Sequence, residues 1–250
     1  RRPLKIYINS ISLKEFMKKT NKTFYCFSPP VMIATFFIEI ALIMYTLLFR
    51  KLNTSTKIGV VLIICLAIFQ LAEYGVCESY GQANFMAKLG FIAITLLPPL
   101  GLHLVTTIGK RDYKPLIIAS YTVALAWIAL FVFGSIMSGS VCEGNYVIFN
   151  IAEPYEGIYY LYYNFLLLLA MGLAISFAQK KRNPPKNIRK ALHALVFGYL
   201  AFIVPSIFFT LINDYKGNDS QLPSVMCGFA VTLALVLALR TIPLTSQPKD

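Results

Sequence analysis

Charge is scarce in this chain. Only 14% of its 250 residues are Asp, Glu, Lys or Arg, against roughly 25% in ordinary soluble domains. That shortage excludes a typical water-soluble fold. Histidine is scarcer still: two residues leave little room for a His-rich metal site. The five cysteines never form a Cys-x-x-Cys pair, which argues against thiolate zinc and iron–sulfur centres. Walker loops, Gly-rich dinucleotide turns and nucleophile elbows are missing too. No cofactor is expected, and no reaction is indicated.

What is abundant is apolar sequence. Hydrophobic residues make up 57% of the chain, and mean hydropathy is +0.65. Crossing a bilayer takes roughly 20 apolar residues in a helix. Runs of that length fall at 30–50, 58–77, 86–109, 115–137, 157–179, 190–213 and 222–242. The expected fold is all-α: a polytopic bundle of seven transmembrane helices over 29–243, after a basic arm at 1–28 and before a tail at 244–250. The lipid bilayer is the implied partner, and the plasma membrane the expected location.

Basic residues cluster on alternate connections. Arg50, Lys51, Lys57, Lys110, Arg111, Lys114, Lys180, Lys181, Arg182, Lys186, Arg189, Lys190, Arg240 and Lys249 fall in connections one, three and five and the tail. Connections two, four and six hold Lys88 and Lys216, with Glu78, Glu143, Glu153, Glu156, Asp214 and Asp219. The positive-inside rule places the N-terminus outside and the C-terminus in the cytoplasm. The same distribution explains the net charge of +12 without nucleic acid. The cationic arm conflicts with an outside N-terminus, and the chain opens on Arg1 rather than Met. A cleaved upstream segment is the expected resolution. Leu4, Tyr7, Ile8 and Ile11 have helical spacing, so the arm reads either as a surface-lying amphipathic helix or as a solvated extension.

Polar groups inside the spans are candidates for chemistry, because an ionisable side chain in lipid normally faces a cavity or a partner. Glu39 lies roughly 13 Å below the outer end of the first span by helix rise, and Glu73 about one turn below the outer end of the second. The competing reading is a hydrogen-bonded carboxyl that clamps two helices. Gln70, Glu73 and Cys77 share one face of the second span, with Tyr74 adjacent. Tyr159, Tyr160, Tyr162, Tyr163 and Asn164 crowd the outer end of the fifth. Tyrosine there usually belongs to an interfacial belt, whereas Asn164 is expected to face the bundle. Ser206 and Thr210 follow Pro205 on the sixth span. Glu39, Gln70, Glu73, Tyr74, Tyr163, Asn164 and Ser206 are therefore the expected lining of an outward-facing ligand cavity. Pro98, Pro99 and Pro205 are expected kinks.

His103 reads as a hydrogen-bonded structural residue and His193 as an interfacial one. A haem held between them is geometrically conceivable, but nothing else supports it. Cys26, Cys77 and Cys142 map to the outside, where disulfides persist. A Cys77–Cys142 bridge would pin the long connection 138–156 over the outer mouth as a hairpin or lid. Cys26–Cys77 and Cys26–Cys142 are the alternatives. Cys65 and Cys227 read as small apolar fillers.

The arrangement, with Leu96-Leu97-Pro98-Pro99-Leu100 in the third span, resembles the seven-helix sensor region of bacterial membrane histidine kinases. The resemblance implies a sensor or receptor-like protein that binds a small ligand. This chain stops about ten residues after Arg240, so its output would need a separate signalling protein. A proton-coupled small-solute transporter and an accessory subunit of a larger membrane complex are the alternatives. A carrier would titrate Glu39 or Glu73, whereas a subunit would use its polar groups only to fix helix contacts.

Overall fold

The computed structural model describes residues 29–78, 83–134, 136–142, 147–179, 184–216 and 230–246. Seven helices and one hairpin lie among them. Helix α1 is Pro29–Phe49, α2 Thr54–Glu78, α3 Ala83–Ile108 and α4 Lys114–Phe133. The hairpin pairs β1 (Met137–Cys142) with β2 (Val147–Ile151). Helix α5 is Tyr155–Ala178 and α6 Lys186–Lys216. The shorter α7 runs over Ala230–Thr245 and carries a π turn at Leu237–Thr241. Five of the helices, α1 to α5, are long and apolar enough to cross a bilayer. Helix α6 coincides with the sixth apolar run, and α7 with the C-terminal part of the seventh. Residues 1–28, 217–229 and 247–250, with Cys26 and Cys227, lie outside the described residues.

Helices α2 and α3 form the centre. Their apolar stretches are 67% and 72% buried, against 22% for α4. Helix α1 packs on α2, α4 and α5 pack on α3, and α6 packs on α5. Helix α7 closes the ring by touching α6, α2 and α1. Ala230, Ala234 and Ala238 recur at four-residue spacing on its buried face, which lets neighbouring backbones come close. Large apolar side chains such as Phe37, Leu125, Leu161 and Phe197 point outward, as they do where the solvent is lipid.

Backbone groups in such a frame must be satisfied internally. Short hydroxyls follow the same rule by bonding back to their own helix: Thr46 to the Leu42 carbonyl at 2.8 Å, Thr95 to Phe91 at 2.6 Å and Thr106 to His103 at 2.9 Å. Helix α3 runs unbroken through Pro98 and Pro99. Pro99 has no amide hydrogen for the Thr95 carbonyl four residues earlier. The Tyr162 hydroxyl of α5 donates to that carbonyl at 2.8 Å.

The fourth apolar run does not stay helical to Met137 as expected. Gly134 ends α4 in an extended conformation with its N–H on the Leu130 carbonyl, and Met137 opens β1. The hairpin is antiparallel, with Gly139 opposite Asn150 and Cys142 opposite Val147. It packs against α2 and α3, at the end of the bundle where α2 finishes and α3 begins.

Candidate functional site

Helix α1 buries one stripe: Met32, Thr35, Glu39, Leu42, Ile43 and Thr46. Steps of three and four keep these positions on one face, so Glu39 must turn inward with the apolar residues around it. The Thr35 hydroxyl reaches the Met32 carbonyl at 2.8 Å and Gln70 Oε1 on α2 at 3.1 Å. That contact ties the polar face of α1 to the polar face of α2 and sets their register. The two helices are antiparallel, joined by residues 50–53. With Thr35 level with Gln70, Glu73 lies about 4.5 Å to one side along the axis and Glu39 about 6 Å to the other, at 1.5 Å per residue. The carboxyls are thus spread over about 10 Å of one interface, not set side by side.

Both acids are buried, Glu39 at 0% and Glu73 at 1% exposure. Glu73 does not reach the surface, although its place near the helix end allowed that. Neither carboxyl oxygen of Glu39 has a hydrogen-bond partner among the described residues. Buried polar atoms are almost always paired, so this carboxyl calls for a proton, a cation, a water or a ligand donor.

The other sequence candidates are not all gathered at this site. Gln70 is buried beside Thr35, and Tyr74 is half-buried on α2. Tyr163 is buried and lines a small apolar void with Leu97, Leu167, Tyr199 and Leu233. Asn164 corrects an expectation: it lies on the exposed face of α5 and donates its amide to the Tyr160 carbonyl at 2.9 Å. Pro205 and Ser206 fall within α6, and their side chains lie outside the described residues, as does that of Cys142.

The tyrosine cluster also differs from an interfacial belt. Tyr159, Tyr162 and Tyr163 turn into the bundle. Thr95 spends its proton on Phe91, so the Tyr159 hydroxyl donates to Thr95 Oγ1 at 3.0 Å. Tyr159 packs edge-on to Trp127 at 5.2 Å and to Phe131 at 5.4 Å, and Phe91 stacks on Phe131 at 4.6 Å. These rings join α3, α4 and α5. His103 meets Tyr121 of α4 through Nδ1 at 3.2 Å, whereas His193 is exposed on α6, so the two are not brought together as haem ligands. No group of three metal-capable side chains occurs among the described residues. Cys65 is a buried free thiol.

Thr35 was not singled out from sequence. The available signal was its place one turn before Glu39 in an otherwise apolar run. Thr95, four residues before Pro99, marks a carbonyl that needs a donor, but nothing in the sequence separates Tyr162 from its neighbouring tyrosines. No model of a known protein family matches this chain, and a search of curated proteins finds no match.

Proposed function

We propose that this chain is a receptor-like integral membrane sensor. It threads the plasma membrane seven times, with its N-terminus outside and its C-terminus in the cytoplasm. A small ligand reaches the α1–α2 interface from the outer side and supplies hydrogen-bond donors or positive charge to Glu39. One observation carries this reading: the Glu39 carboxyl is fully enclosed, and neither of its oxygens is hydrogen-bonded among the described residues. Gln70 and Glu73 flank the same interface and complete the contact surface. The proline-containing α3 and α6 bend on binding, and a separate signalling protein takes up the change. The Cys77–Cys142 bridge fixes the hairpin over the outer end. Its support is that β1, which ends at Cys142, packs on the helix carrying Cys77.

A second reading, a proton-coupled carrier, draws support from the spacing of Glu39 and Glu73 along one interface, which suits a relay. One preparation separates the two. The protein is reconstituted in vesicles containing a pH-reporting dye and screened with small amines and cations for thermal stabilisation. A sensor is stabilised by a compound without moving protons, and Glu39→Gln removes the stabilisation. Proton flux lost in Glu39→Gln supports the carrier. Stabilisation that persists in Glu39→Gln removes this carboxyl from the site.

A further inference from the structure

The opposite end of the bundle holds a second concavity unrelated to Glu39. It is a cleft of about 220 Å³ whose lining is mostly polar, Asn53, Thr54, Ser55, Thr107, Lys110 and Thr245, with Ile108 and Ile188 as its apolar wall. Four helix ends meet there, the starts of α2 and α6 and the ends of α3 and α7. Asn53 caps α2 by accepting the Thr56 N–H at 2.8 Å, and its amide donates to the Thr245 carbonyl of α7 at 2.8 Å. The first intrahelical bond of α2 runs from Lys57 N–H to the Asn53 carbonyl. The amides of Thr54 and Ser55 are therefore left over at the start of a 25-residue helix, where partial positive charge gathers. Ser55 is 9% exposed. It lines the cleft, and its hydroxyl has no hydrogen-bond partner among the described residues.

Lys110 adds a full charge from an unusual backbone position. Helix α3 ends with Lys110 N–H on the Thr107 carbonyl and Arg111 N–H on the Thr106 carbonyl. That pattern puts the residue after the cap in the left-handed region, usually as glycine. Here it is Lys110, at φ 50. The surrounding links carry Arg50, Lys51, Lys57, Arg111, Lys114, Lys186, Arg189 and Lys190, and their one acid is Asp112. Asp112 is mostly exposed and already pairs with Lys114 at 3.2 Å.

We infer that this cleft is a binding site for a phosphate group. The Thr54 and Ser55 amides and the Ser55 hydroxyl donate to the phosphate oxygens, and Lys110 supplies the counter-charge. The phosphate belongs either to an anionic lipid headgroup, since the cleft lies at a membrane-surface level, or to a soluble compound.

Two substitutions remove the site without removing a fold determinant. Ser55→Asp puts a carboxylate in the first turn of α2, where it complements the helix and repels an anion. Lys110→Gly removes the cation and suits the left-handed backbone. The full-length protein is held in phosphatidylcholine nanodiscs and its melting temperature followed as inorganic phosphate is titrated against chloride at fixed ionic strength. A second arm replaces part of the phosphatidylcholine with phosphatidylglycerol. A response to phosphate identifies a soluble ligand, and a response confined to phosphatidylglycerol identifies a lipid. In either case both variants fold as well as the parent and weaken the response about tenfold, as expected for a lost charge-assisted contact. Silence in both arms, or an unchanged response in both variants, would overturn the assignment.

Discussion

At Thr95 the bilayer frame meets a local defect and repairs it with one side chain. Pro99 leaves the Thr95 carbonyl without its helix donor, and Tyr162 supplies the hydrogen from α5. Tyr162→Phe keeps the ring but leaves that carbonyl unpaired in a buried site. A loss of about 1–3 kcal/mol is expected, measured as a lower melting temperature or urea midpoint in nanodiscs. Tyr155→Phe, on the exposed start of the same helix, should cost nothing measurable. Sequence marked the carbonyl in need, because the proline spacing is fixed. It did not mark which tyrosine answers, since five tyrosines over residues 155–163 of α5 differ only in helix phase. That phase depends on how α5 rotates against α3. Asn164 was misplaced for the same reason: one position separates it from buried Tyr163.

Between elements, close approach is decided by small residues facing large ones. Gly101 of α3 lies against the Tyr199 ring of α6, and an added Cβ there would run into the Tyr199 hydroxyl. That hydroxyl is buried without a hydrogen-bond partner among the described residues, so it fills space rather than making a bond. Gly101→Ala should therefore destabilise by about 1–3 kcal/mol through overpacking. Tyr199→Phe should be neutral or mildly stabilising, because an unpaired buried hydroxyl is removed. In the double variant the alanine methyl gains the space the hydroxyl leaves, so its loss should be smaller than that of Gly101→Ala alone. Thermal melts of the four proteins in one lipid check this, and simple additivity would deny the contact. Helix positions were legible at this scale because hydrophobic length encodes them directly. The end of α4 was less so: Ile136 and Met137 are apolar enough to continue a helix, and only the Gly134 geometry ends it. The hairpin register was beyond reach, since its strands carry no strict alternation of polar and apolar residues.

For the whole molecule, charge separates the two ends of the bundle. The links α1–α2 and α3–α4 and the start of α6 carry Arg50, Lys51, Lys110, Arg111, Lys186, Arg189 and Lys190, whereas the hairpin end carries Glu78, Glu153 and Glu156. Cations resist transfer across a membrane and fix which end stays in the cytoplasm. Both proposed sites depend on that polarity. The Glu39 interface must open toward the hairpin side to meet an external ligand, and the Lys110 cleft must open toward the side rich in soluble phosphates and anionic lipid. An impermeant maleimide applied to intact cells tests them together. Glu153→Cys should label without lysis, and Lys186→Cys only after it. Labelling in the reverse order would leave the bundle intact but turn it over. Glu39 would then answer to a cytoplasmic ligand, and the phosphate cleft would lose its natural supply.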